Sequence, residues 1–334
     1  MRLLLAVTFF VGLSVMTLST AQSTQKGDLR LVSTAWSPFT NAPGQPRLAL
    51  DLVESALGRI GLSARTTIVE PARYTPALLS GEFDGSAAAW KDAERESALI
   101  FSQPYLENRL ILVGRRGADV SATSLSQLDG KRVAIVEGYS YGDALDFSGA
   151  SLLRSRSDED SLALLLASKT DYTLMDELVV QYLVDNYPTQ ASTRLEIGSK
   201  ALVTRPLYLA VKRARPDAET IVTRFNGEVR AMIVDRTYHR LLHVSWISAD
   251  IDGDGDAEFV PASDQSGTSE PRRAYALSTT TGQRTTKAPE DKPGFYVGGN
   301  IYTNWASVPN RYKVDDPSAP DASRSTASIF RFTW

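Results

Sequence analysis

Apolar positions along this chain keep two spacings. Short runs with extended character, Leu29–Ser33, Ala64–Val69 and Phe83–Ala89, read as strands. Between the first two, Leu48, Leu52, Val53, Ala56, Leu57 and Ile60 recur at helical spacing, and Gly61 supplies a stop. A turn-rich piece with Pro38, Pro43, Gly44 and Pro46 precedes that helix, and Arg73–Ser80 predicts a second, ended by Gly81. The order strand, helix, strand, helix, strand predicts a mainly parallel sheet with helices on its faces. The pattern then recurs. Leu110–Val113 is extended, Lys131–Val136 and Asp171–Met175 read as strands, and Asp158–Ser168 and Glu177–Asp185 as helices. Ser157 and Asp160 form a start resembling a capping box. Leu207–Val211 is a further strand, and Ile221, Phe225, Val229 and Ile233 mark a helix by their four-residue spacing.

The two ends differ from this middle. Arg2 followed by the apolar run Leu3–Met16 and the small residues Ser19-Thr20-Ala21 reads as an export signal over residues 1–21. The run is shorter than the roughly 20 residues that span a bilayer. The chain has no cysteine, so an exported product relies on burial rather than disulfides and lacks a lipid-bearing cysteine. A periplasmic or secreted protein is expected. After Trp246 the sequence becomes acidic and glycine-rich, then polar and aperiodic over Pro261–Pro293, where irregular structure is expected. Gly294–Trp305 is aromatic again; it suits a strand on a sheet edge, an aromatic plug near the cleft, or packing on the first unit. Residues 315–328 are expected to be disordered.

Composition narrows the function. A net charge of −3 offers no basic face for nucleic acid, and two histidines disfavour a histidine-built metal or triad site. With 43% hydrophobic and 22% charged residues over 334 positions, two ordinary domains are expected, in a monomer.

Ligands of open parallel α/β sheets bind beyond the carboxyl ends of the strands. Those ends deliver Ser33 and Trp36, Trp90 and Arg95, Ser140 after Gly138, and Asp176. Arg95 offers a planar fork that matches a carboxylate, or it pairs with Glu94 on a helix surface. Asp176 suits an ammonium or a helix N-cap; Ser140 suits an anion at a helix start or a plain cap. Trp36 suits stacking on a ligand or packing within a lobe. Asp250, Asp252, Asp254, Asp256 and Glu258 follow the D-x-D-x-D-G-x-x-E pattern of calcium loops, with Gly255 at the turn. Pro261 stands where a helix–loop–helix site would need glutamate, so a structural calcium is expected rather than a sensor; a solvated acidic linker is the alternative.

Trp36-Ser37-Pro38-Phe39, the helix Leu48–Ile60, Pro76–Asp84, Arg95 with Phe101-Ser102-Gln103-Pro104-Tyr105, Leu128–Ala134, and Asp171 with Asp176 stand in an order that resembles family 3 of the extracellular solute-binding proteins. The resemblance covers about residues 28–247. It implies α/β architecture of the type II periplasmic binding protein: two Rossmann-like lobes joined by a two-strand hinge, here followed by an irregular C-terminal extension. It places lobe I at 28–110 with 206–247, lobe II at 111–205, the acidic loop at 248–262 and the extension at 263–334, with crossings near Arg109–Val113 and Arg205–Val211. It further implies capture of a small carboxylated, amino-acid-like solute, without catalysis, for an ABC importer permease or a membrane sensor. Two departures stand out. Ala87-Ala88-Ala89-Trp90 replaces the small polar residues that often precede the arginine, and Ser33 stands where an acidic contact is common. A sensor or assembly component with a degenerate cleft is therefore a second reading. A dehydratase-type enzyme, with Glu137 as its acid or base, is a third.

Overall fold

The computed structural model describes residues 28–36, 38–91, 93–137, 141, 143–271, 274–277, 294–315, 332 and 334. The export signal, Ser140, and residues 316–328 of the stretch expected to be disordered lie outside them.

Lobe I opens with strand β1 (Leu29–Thr34), helix α1 (Leu48–Arg59), β2 (Ala64–Val69), α2 (Pro71–Ser80) and β3 (Gly85–Ala89). The apolar stripe of α1 is buried against β1 and β3, as its spacing predicts. Next come α3 (Ala93–Ala98), β4 (Leu99–Phe101) and the long β5 (Leu106–Arg115). Lobe II holds β6 (Arg132–Val136), α4 (Asp143–Asp146), β7 (Ser151–Ser155), α5 (Asp158–Leu166), β8 (Tyr172–Asp176), α6 (Glu177–Asn186) and α7 (Pro188–Arg194). Ser157 caps α5 by accepting from the Asp160 N–H at 3.2 Å. The 18-residue β9 (Leu195–Lys212) returns to lobe I, followed by α8 (Ala218–Val234) and α9 (Thr237–Leu242).

One sheet runs through both lobes, in the order β2-β1-β3-β9-β5-β8-β6-β7, with β4 also on β9. Its continuity comes from β5 and β9, which pair antiparallel from Leu106–Leu207 to Arg115–Leu195. These are the two crossings, and the outer strands of each lobe are parallel. The approach of β3 to β9 explains Gly85: a Cβ there would lie 2.0 Å from the Ala210 carbonyl oxygen.

The Phe-Ser-x-Pro-Tyr run anchors the start of the crossing. Ser102 N–H donates to Leu209 C=O at 2.9 Å, and the Ser102 Oγ accepts from Leu209 N–H at 3.0 Å. The Tyr105 hydroxyl, fully buried, donates to Ala87 C=O at 2.8 Å, and Tyr238 donates to Tyr105 C=O at 2.7 Å.

The C-terminal extension is irregular over most of its described length, yet it supplies strands. β10 (Trp246–Ala249) and β11 (Glu258–Pro261) flank the acidic loop as a hairpin, β12 (Tyr275–Ala276) pairs parallel with β10, and β13 (Gly294–Val297) and β14 (Asn300–Tyr302) complete a sheet ordered β12-β10-β11-β13-β14. The aromatic segment thus adds strands to an edge, that of this small sheet rather than the main one. Ile247, Ala249, Val260, Tyr275 and Leu277 join the lobe I core, while Phe295, Val297 and Val308 form their own cluster with Trp246, Phe259 and Trp305.

Tyr275 ties this extension to the hinge. Its hydroxyl accepts from Glu107 N–H at 2.8 Å and donates to Glu107 C=O at 2.7 Å. β8 ends at Asp176, opposite Leu110, so Glu107 lies past the end of that neighbour. Removing the hydroxyl in Tyr275→Phe strands two buried backbone groups. It should cost about 2–6 kcal/mol, at about 1–3 kcal/mol per unsatisfied group, read as a lower urea midpoint with unchanged slope.

Candidate functional site

The carboxyl ends of β1 and β3 present two tryptophans. Trp36 sits in a tight loop closed by paired backbone bonds with Thr40, 2.7 and 2.8 Å, and Thr40 Oγ1 donates to Thr34 C=O at 2.7 Å. Its ring packs on Phe39 at 4.5 Å and edge-on to Trp90 at 6.0 Å. Both tryptophans are half-buried. The Trp90 Nε1 is shielded from solvent, with no hydrogen-bond acceptor among the described residues. Ser33 is buried, and its hydroxyl donates to the adjacent Thr34 carbonyl at 3.4 Å.

Arg95 lies on α3, half-buried. Its guanidinium donates to Trp90 C=O at 3.3 Å and to Thr75 Oγ1 at 3.0 Å, and lies 5.5 Å from the centre of the Tyr74 ring. A carbonyl, a hydroxyl and a ring face orient the cation.

A second guanidinium, not singled out from the sequence, also meets Trp90. Arg205 on β9 stacks over the Trp90 ring at 4.4 Å. Its cross-strand partner is Asn108 on β5. Directly opposed residues of an antiparallel pair project to the same face. The Asn108 amide donates to Asp176 Oδ2 at 2.6 Å. Trp36, Trp90, Arg205, Asn108 and Asp176 thus form one chain of neighbours from lobe I across the hinge to lobe II. Glu107 and Arg109 alternate to the other face of β5, where Arg109 bonds Glu177 at 2.7 Å and approaches Glu107 at 3.6 Å.

Asp176 is 1% exposed. Oδ1 accepts from Leu178 N–H at 2.8 Å, capping α6, and Oδ2 accepts from Asn108 and from Arg109 N–H at 3.1 Å. Of its two expected roles, the N-cap is the one the geometry displays; both oxygens are engaged within the protein. Burial pushes its carboxyl up to about 8, with the Leu178 and Arg109 N–H groups opposing that rise. Glu137 is exposed at the end of β6, with its N–H on Ser155 C=O at 2.8 Å. Ser140 falls outside the described residues.

In the acidic loop, oxygens of Asp250, Asp252 and Asp254 lie within 4.8 Å of one another. Asp256 and Glu258 stand apart from that trio. Glu258 is buried, accepts from Ile251 N–H at 3.1 Å, and is pushed up to about 7 by desolvation and then by Asp252, Asp254 and Asp250. Asp250 accepts from the N–H groups of Gly253 at 2.5 Å and Gly255 at 3.1 Å, and both glycines adopt positive φ. A hard, oxygen-seeking cation matches this donor set.

Residues 32–248 match the bacterial extracellular solute-binding proteins, family 3. This chain belongs to that family. Among solved structures it resembles YckB of Bacillus subtilis, with a TM-score of 0.52 at 20% identity over 65% of this chain and 88% of that one. It also resembles the GluR0 ligand-binding core crystallised with L-glutamate, with a TM-score of 0.51 at 18% identity over 66% and 98%. The virulence sensor protein BvgS of Bordetella bronchiseptica (strain ATCC BAA-588 / NCTC 13252 / RB50) is 29% identical over 146 residues, 43% of this chain. That of Bordetella pertussis (strain Tohama I / ATCC BAA-589 / NCTC 13251) is 27% identical over 144 residues. The chain spans about a tenth of the length of these curated relatives, 11% of each. Family and fold are those of binding proteins rather than enzymes. No helix among the described residues is long and apolar enough to cross a membrane.

The Asp176 carboxyl makes stability depend on pH. Folded, it holds its proton up to about pH 8; unfolded, it releases it near 4. The stabilisation is therefore complete below about pH 4 and is lost as pH rises to about 8, at up to about 1.4 kcal/mol per pH unit. The thermal midpoint of the wild type should fall from pH 5 to 8, and Asp176→Asn should flatten that profile in a fluorescence melt series.

Proposed function

We propose that this protein captures a small carboxylated, amino-acid-like solute between its lobes and delivers it to an ABC importer on the periplasmic side of a membrane. The observation that carries this reading is the setting of Arg95. Its guanidinium is half-buried beside Trp90 at the end of β3 and donates to Thr75 Oγ1 and to the Trp90 carbonyl. A carboxylate there would accept two parallel charged bonds. The unsatisfied Trp90 Nε1 offers a third donor in the same cleft. The BvgS match favours a second reading, in which the same capture event feeds a membrane sensor. The two differ in whether ligand-loaded protein stimulates uptake into vesicles containing a cognate permease.

Two charged hydrogen bonds at about 1.5–3 kcal/mol each predict at least a 100-fold loss of affinity in Arg95→Met, since about 1.4 kcal/mol is tenfold. Isothermal calorimetry against a panel of amino acids and small carboxylates measures this. Equal affinity in wild type and variant would defeat the reading.

We also propose that the β10–β11 loop holds a structural calcium on Asp250, Asp252 and Asp254. Glu258 lies close enough for their charges to act on it. Extracellular calcium modules bind at about 10⁻⁴–10⁻³ M. About 10 mM calcium should then stabilise the fold by about 1.4–2.7 kcal/mol. A rise in thermal midpoint is expected, abolished by Asp252→Asn with Asp254→Asn.

A further inference from the structure

The two crossing strands are held differently at their two ends. At the lobe I end, the Tyr275 hydroxyl takes both backbone groups of Glu107, accepting from its N–H at 2.8 Å and donating to its C=O at 2.7 Å. Tyr275 is itself fixed to lobe I. It is 4% exposed, it packs in the lobe I core with Ile247, Val260 and Leu277, and its strand β12 is paired to β10. Opposite Glu107 on β9 stands Pro206. With the Glu107 N–H committed to Tyr275 and no N–H on Pro206, this pair exchanges no backbone bond, and the proline ring fixes φ of β9 at the same level. At the lobe II end, pairing with β8 begins at Leu110 and Asp176. Arg109 belongs with that lobe. Its N–H is taken by Asp176 at 3.1 Å, and its side chain bonds Glu177 of α6 at 2.7 Å, closer than its 3.6 Å approach to Glu107. The Asn108 amide also donates to Asp176, at 2.6 Å.

We infer that the C-terminal extension is a hinge brace. Tyr275, together with Pro206, ends lobe I at the Glu107–Pro206 pair and confines the bend to Asn108–Arg109 and the residues paired with them, Arg205 and Thr204. Hinge closure in two-lobed binding proteins is absorbed by a few residues of the connecting segments. β5 has no β8 neighbour before Leu110, so without the hydroxyl its edge would lie open through Glu107 and the strand would yield inside lobe I as well. The brace shortens the flexible stretch of each crossing to two residues. A short pivot allows fewer lobe orientations, so the open form stays near one geometry and less conformational entropy is lost on closing. The inference rests on the two-lobed fold alone and holds whichever solute enters the cleft.

The test reads lobe orientation directly. The chain has no cysteine of its own, so Thr67→Cys on β2 and Ser151→Cys on β7 direct spin labels to those two sites alone. Both positions are exposed, and they lie on the outermost strands of the main sheet, one in each lobe. Pulsed electron–electron double resonance on the full chain, without added solute, gives the distribution of label distances. Tyr275→Phe keeps the ring and loses the hydroxyl. It should widen the distribution about 1.4-fold or more, the square-root growth expected when the flexible stretch of β5 doubles. Pro206→Ala should widen it as well, by less. Val260→Ala removes apolar contact from the same core without removing a bond to Glu107. It should lower the thermal midpoint and leave the width unchanged, which separates a brace from a general loss of stability. A wild-type width in folded Tyr275→Phe would overturn the inference, as would equal widening in Val260→Ala. If Tyr275→Phe does not fold, Pro206→Ala decides alone: widening supports the brace, and a wild-type width overturns it.

Discussion

The arrangement turns on how one strand edge is satisfied. β5 carries the chain out of lobe I, but its neighbour β8 stops at Asp176, opposite Leu110. The backbone groups of Arg109 and Glu107 that would have continued that ladder must find other partners, because buried amides left unpaired are costly. Arg109 N–H uses the Asp176 carboxylate, and Glu107 uses the Tyr275 hydroxyl for both its N–H and its C=O. A helix cap from lobe II and a tyrosine from the extension therefore complete a strand that belongs to the hinge. The ending of β8 at Asp176 thus creates the need for these two side chains.

Asp176 accordingly serves three segments at once: it starts α6, ties Asn108 and closes the β5 edge. A carboxylate so engaged is poorly placed to meet a ligand amine. The small residues of β3 let β9 approach closely, which brings Arg205 within stacking distance of Trp90.

Most of the fold was legible because its signals are local. The stripe of α1, the Ser157 cap and the alternation of strands and helices follow from spacing and punctuation within a few residues, whereas the crossings near Arg109 and Arg205 came from the family resemblance. Asp176 as a cap was readable for the same reason. The role of Phe-Ser-x-Pro-Tyr was only half visible: as a neighbour of Arg95 it marked the site, whereas its bonds run to Leu209 and Ala87. Arg205 was not legible as a site residue, since its facing depends on register with Asn108, a pairing between residues 97 positions apart. Tyr275 was hidden for a related reason. Two strand residues in a polar, aperiodic stretch give no periodic signal, and their placement is decided by β10 rather than by their own sequence.

The five tryptophans of the chain divide among its parts. Trp36 and Trp90 border the cleft, Trp246 and Trp305 meet at 6.1 Å in the extension, and Trp334 lies on lobe II against Tyr187. Indole emission responds to nearby charge and to water. Each part of the molecule therefore carries its own built-in optical reporter, and single Trp→Phe changes would separate light from the cleft, the small sheet and the far lobe without any attached dye.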